Sequence, residues 1–379
     1  MDNFGTTYTP NGFANSSPLV GAQDWQTLTR YIDNRVGEIV RPGGLSYYNT
    51  GAGRGYQAVV GMNQAQGVFT NIQSAINYVN TLGGGEILIQ TGTYVISSNL
   101  TLFSNIYIRG ISQNNCVIDF NNGTNNLSTS SLGSNMGFNN LSFINCTNTT
   151  TGAIFLNQAN QVYFSNCKFT SNRSGTQGYD IYASSSQNIQ IEHCSGTDSA
   201  TFFYGSSSGT IRINDLTSYS LNNTLWGREG TPGLGITKMI LSSSYLDSPT
   251  SCVFGYFSQS QFENNKFGDD VQIGTPSDAT VHIIKHPNST SAANCTFIGN
   301  IWSKSDTGKQ GVLLGTCTGM GFFTNQISGG QPGGTGNDGF KLIGCKQCFI
   351  IGNQVTRGGT PAYAINISDA ASGTNVVIG

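Results

Sequence analysis

Charge is what this chain has least of: only 9% of its 379 residues are Asp, Glu, Lys or Arg, against about 25% in a typical globular domain. Its net charge of −2 leaves no basic surplus, which argues against a nucleic-acid partner. Classical disorder needs low hydrophobicity with high net charge, and the 37% of hydrophobic residues are enough for a core. No apolar run approaches the roughly 20 residues of a membrane span. The opening Met1 to Ser17 lacks the basic and apolar regions of a signal peptide, so the expected location is a virion tail or, with a leader removed, the extracellular space. The nine cysteines fit no small disulfide scaffold. Cys345 and Cys348 have CxxC spacing with no second Cys/His pair, so they are expected to be ordinary thiols. His193, His282 and His286 show no ligand spacing, so neither a metal nor a cofactor is expected.

In place of charge the chain carries Gly (50 residues), Asn, Ser and Thr, with apolar residues in short runs. Three segments follow. Residues 1–67 are expected to be a separate attachment or neck-like piece. Within it, Trp25, Leu28, Ile32 and Val36 recur at helical spacing, an apolar stripe that needs a partner. Residues 68–85 form an amphipathic helix, with Thr70 and Gln73 as a capping box and Gly83-Gly84-Gly85 as its stop. Placed before a stack of strands, this helix covers the open apolar end.

Residues 86–379 are expected to form one all-β unit, a single-stranded right-handed parallel β-helix. One pattern recurs there: apolar, any, apolar, any, small polar. It reads Leu141-Phe143-Asn145, Val162-Phe164-Asn166, Ile189-Ile191-His193, Ile211-Ile213-Asp215, Met239-Leu241-Ser243 and Ser260-Phe262-Asn264. Weaker copies are Thr296-Ile298-Asn300, Gly321-Phe323-Asn325 and Phe349-Ile351-Asn353. The last members are 21, 27, 22, 28, 21, 36, 25 and 28 residues apart, one coil with a turn of varying length, where a propeller blade needs about 40. Coils stacked about 4.8 Å apart put equivalent residues in columns. An Asn ladder of Asn145, Asn166, Asn264, Asn325 and Asn353 is expected, with Cys146, Cys167 and Cys194 stacked beside it as architecture. The next anchor would fall at position 380, so the chain is expected to stop inside a coil.

The segment Ile72–Leu82, Gly83-Gly84-Gly85-Glu86-Ile87, Thr91-Gly92-Thr93-Tyr94, Leu100-Thr101-Leu102 and Ile106-Tyr107-Ile108-Arg109-Gly110 resembles the first coil of the pectate-lyase-like β-helix superfamily. Viral tailspikes and polysaccharide-cleaving enzymes share that opening. The resemblance implies a glycan ligand and, as in tailspikes, a homotrimer, with residues 1–67 meeting other virion proteins.

Glycoside hydrolysis needs two carboxyl groups at defined separation. Asp247, four residues after its anchor, and Asp269 and Asp270, five and six after theirs, are expected to cluster as catalytic candidates. Gly268-Asp269-Asp270 also resembles the paired-Asp motif of polygalacturonases. However, Ser244-Tyr245-Leu246-Asp247 stands in place of Asn-Thr-Asp, His286 lies in no Gly-His-Gly, and no Arg-Ile-Lys follows. A solvated turn is the alternative. Glu192 and Asn214 are expected to share an outward column with Arg212 diagonal to Glu192, as a catalytic carboxylate with a cation or as an ion pair. Trp226, Arg228 and Glu229, on an expected Gly-rich loop, suit stacking on sugar rings, with Phe202, Phe203, Tyr204, Tyr256 and Trp302 extending that platform. The leading reading is a tailspike or fibre protein that recognises a host surface polysaccharide, with or without cleaving it. A non-catalytic adhesive shaft and a secreted hydrolase or lyase are the alternatives.

Overall fold

The computed structural model describes residues 56–62, 68–228, 235–248, 251–268, 279–283, 294–303, 310–315, 317–328, 339–343, 345–356, 364–367 and 377–378. The chain winds as a right-handed parallel β-helix. The described strands form two long sheets, one 15-stranded and one 20-stranded, and all their pairings are parallel. Each coil gives one strand to the first sheet, bends, and gives one or two to the second. In one coil these are Asn160–Ser165, then Lys168–Thr170 and Tyr179–Ser184.

Alternating side chains place every second residue inside. Val162, Ile189, Ile211 and Met239 align in the first sheet, beside Phe164, Ile191, Ile213 and Leu241. The second column continues through Phe262, Phe297, Phe322 and Ile350, all buried in one continuous core. Two of the expected alignments are corrected. The rung before Phe164 is held by Phe138; Phe143 pairs with Phe169 in the second sheet. Both Met136-Phe138-Asn140 and Leu141-Phe143-Asn145 fit the pattern, because each sheet of a coil repeats the same alternation. In the last three copies Phe297, Phe322 and Ile350 point inward, one residue from the expected Ile298, Phe323 and Ile351. Those strands carry apolar residues in pairs, and period two cannot choose between neighbours.

The small polar anchor answers a backbone demand. Asn140, Asn166, His193, Asp215, Ser243, Asn264 and Thr324 have φ between 51° and 54°, and Gly299 and Gly352 take 62° and 65° at the same bend. This left-handed conformation is open to Gly and least costly for Asn and Asp. The amide ladder lies elsewhere. Asn265, Asn300, Asn325 and Asn353 form it: each of the first three donates its backbone N–H and its Nδ2 to the next residue's Oδ1, at 2.8–3.0 Å. Asn325 and Asn353 were expected there; Asn145, Asn166 and Asn264 belong to bends. Cys167 donates its backbone N–H to Cys194 Sγ at 3.4 Å, whereas Cys146 sits in the second sheet and bonds Asn172. All nine thiols are free and buried. Burial pushes Cys146 up to about 11 and Cys295 up to about 12, so neither is a thiolate at neutral pH.

The helix spans Ile72–Thr81 and buries Ile72, Ala75, Ile76 and Val79 in the core at the first coil. Its N-cap is Asn71, which accepts from the Ser74 N–H at 2.9 Å, rather than Thr70. Gln73 instead brackets Thr101, accepting from its N–H at 2.8 Å and donating to its carbonyl at 3.2 Å. Ala58–Val60, on the N-terminal side of the boundary expected at 67, pairs with Ile87 to Ile89. The helical stripe from Trp25 to Val36 lies outside the described residues.

Candidate functional site

Inward Ile181, Phe203, Leu225 and Val253 send their neighbours outward on the second sheet. Those neighbours are aromatic on five consecutive rungs: Phe155, Tyr182, Tyr204, Trp226 and Phe254 pair in register. Ring centroids along the stripe are 5.2, 4.8, 5.1 and 5.9 Å apart. At about 4.8 Å per rung the stripe runs roughly 19 Å along the axis. Tyr179 widens it, stacking on Tyr204 at 4.7 Å and 18° and approaching Trp226 at 6.2 Å. All six rings are half-buried, each with an apolar body against the sheet and an edge or face toward solvent. The Trp226 Nε1 is buried without a partner.

Trp226 therefore lies in the strand Thr217–Gly227, not on a loop. Tyr204 adjoins it as expected. Phe202 and Phe203 are core residues, Tyr256 is buried, and Trp302 is fully buried between Phe267 and Phe297. These four are removed from the expected platform: Phe202, Phe203 and Trp302 fill the interior of the coil, and Tyr256 is buried. Arg228 is exposed beside the stripe and donates from Nη1 to Ser206 Oγ at 3.2 Å. Glu229, Asp269 and Asp270 lie outside the described residues.

Asp247 is buried on the second sheet, opposite Tyr219 on one side and Gly268 on the other. The Tyr245 hydroxyl donates to its Oδ2 at 3.3 Å. Glu192 is on the first sheet, so these two carboxylates belong to different faces. Glu192 pairs with Asn214, and Arg212 lies diagonally, as the register required. Glu192 accepts from Gln190 Nε2, and the ion pairs among the described residues, Arg109–Glu86, Arg173–Asp198 and His193–Asp215, do not join it to Arg212.

Two features escaped the sequence reading. The stripe has a spacing signal, since its aromatic residues recur every 27, 22, 22 and 28 positions, one coil each. The other is the enclosure of Asp180, which with Asp198 flanks the Glu192 coils in the sequence but is not placed by it; Asp180 is fully buried. Its Oδ1 accepts from Asn172 Nδ2 at 2.9 Å and from Ser199 Oγ at 2.6 Å, while Oδ2 has no partner. Burial pushes its carboxyl up to about 8 against these two hydrogen bonds, so it is mostly protonated at neutral pH. Its signal was an Asp inside the apolar run Tyr179-Asp180-Ile181-Tyr182.

Among the described residues, no three His, Cys, Asp or Glu side chains are grouped to hold a metal ion, and no helix is long and apolar enough to cross a membrane.

No family model matches the chain, and comparison with curated proteins finds no match by sequence. Solved structures do match in fold. The surface adhesin PfbA of Streptococcus pneumoniae superposes with a TM-score of 0.59 at 13% identity, over 81% of this chain and 86% of that one. A tailspike mutant of E. coli bacteriophage HK620, in complex with a hexasaccharide, gives 0.59 at 12% identity, over 85% of this chain and 64% of that one. DFA-IIIase from Arthrobacter chlorophenolicus, in complex with GF2, gives 0.57 at 10% identity, over 81% of this chain and 90% of that one. The chain is a right-handed parallel β-helix, a fold it has in common with a surface adhesin, a phage tailspike and DFA-IIIase.

Proposed function

We propose that this protein binds a polysaccharide along the aromatic stripe of its second sheet. The stripe is the observation that carries this reading. Six half-buried rings on adjoining rungs give a linear apolar track, and sugar C–H faces stack on such rings. A surface low in charge adds little repulsion or attraction for a neutral chain. The neighbours that bind a hexasaccharide or GF2 support the ligand class. The finer reading is a tailspike-type protein of a virion tail or an extracellular adhesin, trimeric, with residues 1–67 as its attachment segment. It stops at binding, because the described candidates Asp247 and Glu192 lie on different sheets.

The test is binding of the wild-type chain and of Trp226→Ala and Tyr204→Ala to an immobilised panel of bacterial surface polysaccharides. Each substitution should weaken a bound polysaccharide about fivefold or more, by analogy with the about 1–3 kcal/mol of a base stacked on an aromatic ring. Unchanged binding in both variants, or none by the wild type, overturns the reading. Light scattering of the same sample tests the trimer.

A further inference from the structure

The aromatic stripe has a polar edge that ends in a cation. Two residues beyond Phe155, Tyr182 and Tyr204 stand Asn157, Ser184 and Ser206, paired in register. Alternation puts them on the same outward face as the rings. The next coil continues this column with Arg228, whose backbone N–H donates to the Gly205 carbonyl at 2.8 Å. Its side chain reaches back one coil, where Nη1 donates to Ser206 Oγ at 3.2 Å. The guanidinium is thus held beside the Tyr204 and Trp226 rungs. It is exposed, and it takes part in none of the ion pairs among the described residues. A guanidinium carries more N–H donors than this one bond uses. The Trp226 Nε1–H is a further donor without a partner. The adjoining Cδ1 lies 3.3 Å from where a Gly255 Cβ would stand. The pyrrole edge of the indole is therefore turned toward the Gly227–Gly255 rung, on the Arg228 side. Two sets of unmatched donors lie at the same end of the stripe.

We infer that this end of the stripe takes a carboxylate, so that the bound polysaccharide carries an acidic sugar where it passes Trp226 and Arg228. The saccharide rests on the polysaccharide-binding reading; the unmatched donors do not. At Asn157, Ser184 and Ser206 a sugar meets groups that both donate and accept, as its own hydroxyls do. At Arg228 it meets donors alone. A hydroxyl satisfies such a group only in part, whereas a carboxylate accepts two parallel N–H bonds in the plane of the guanidinium. Ser206 holds one nitrogen of that plane and leaves the rest to a ligand. The described acids of the same coils are engaged elsewhere. Asp198 pairs with Arg173 at 2.8 Å and Asp215 with His193 at 2.7 Å. Asp180 is enclosed, and Glu192 lies on the other sheet. The rest of the polar edge is uncharged, so it suits one acidic sugar within an otherwise neutral repeat.

The experiment measures binding of the full chain to xanthan, gellan and hyaluronan, each in its native form and after chemical reduction of its carboxylates to alcohols. The two members of a pair then differ only at that group. The proteins are the wild type, Arg228→Gln, Arg228→Lys and Trp226→Ala, with circular dichroism to check each fold. Arg228 is exposed, and its backbone bond to Gly205 survives substitution. At least one native polymer should bind the wild type, and its reduced form should bind about fivefold or more weakly. Arg228→Gln should weaken the native polymer by about the same factor and leave the reduced form within about twofold, a split that a merely structural role would not produce. Arg228→Lys keeps the charge without the fork and should fall between. Trp226→Ala should weaken both forms about fivefold or more, as stacking on the stripe requires. No binding of any native polymer, equal binding of the paired forms, or equal loss of both forms in Arg228→Gln overturns the inference. Binding that depends on Trp226 but ignores the carboxylate overturns the acidic subsite and leaves the stripe standing. Binding that depends on Arg228 and the carboxylate but not on Trp226 overturns the stripe and leaves the subsite.

Discussion

The coils before and after Asn264 share one backbone ladder but fill it with different chemistry. At the position after the left-handed bend, the early coils carry Leu141, Cys167, Cys194, Leu216 and Ser244, and the late coils carry Asn265, Asn300, Asn325 and Asn353. From Leu141 to Asn325, each of these carbonyls accepts the same inter-coil N–H. The early filling is mostly a matter of volume, with Cys194 Sγ and Ser244 Oγ each accepting one backbone N–H from the preceding coil. The late filling is an amide chain in which each member completes the next, so it is stable only as a whole. The adjoining core column differs as well. Phe262, Phe297 and Phe322 stack at 4.5 and 4.8 Å, within 7° of parallel, where the early rungs hold Ile191, Ile213 and Leu241. The early coils, for their part, enclose Asp180 with one oxygen unpartnered. The late coils satisfy their buried amides, while the early coils leave a buried acid half satisfied.

The largest expected effect tests the ring stack. Phe297→Ala should cost near the top of about 3–5 kcal/mol, more than Ile213→Ala in the early column, where the range is about 2–5. Urea unfolding midpoints measure both, and equal losses would mean that the stack gives the late coils nothing beyond volume. The amide chain comes next. Asn325→Ala strips the acceptor from the Asn300 N–H and Nδ2 and should cost about 3 kcal/mol, because buried donors lose their partners. Cys194→Ala, which removes a small group and only the weak sulfur acceptor of the Cys167 N–H, should cost about 1–2 kcal/mol. A reversal of that order would make the amides ornamental.

Asp180 gives an effect that depends on pH. Its carboxyl is raised in the fold from 3.8 to about 8. Between those values the folded chain holds a proton that the unfolded chain has released, so stability falls as pH rises. The slope approaches about 1.4 kcal/mol per pH unit. Below 3.8 the group contributes nothing to the slope, and its stabilisation is gone once pH passes about 8. Asp180→Asn keeps an oxygen for Asn172 and Ser199 and cannot ionise. Its unfolding midpoint at pH 5, 6.5 and 8 should therefore lack this component of the decline. A wild-type chain equally stable at all three values would show that the acid is not held neutral.

Much of this architecture is legible along the chain, because alternation and coil length are local and repeated. From Val162 to Phe262 the apolar triplets mark inward rungs correctly, and the helix before the first coil follows from its own stripe. Legibility fails where two choices satisfy the same local rule. Phe138 and Phe143 both end in an Asn that takes the left-handed bend, and Phe297-Ile298 offers two apolar residues for one inward place. For the site, Trp226 was found from its type, but its rungmates Phe155, Tyr182 and Phe254 were not, since an aromatic residue in a strand is as often core as surface.

Backbone preference and period are properties of a residue and its near neighbours, so the chain alone determined a parallel stack of coils, its bends at Asn, Asp and Gly, and its capping helix. Which side chains meet is a property of register between residues more than 20 positions apart. Only the tertiary structure decided that six rings form a track and that Asp180 is enclosed. Each of those depends on what the next coil brings alongside, through turns whose lengths vary from coil to coil.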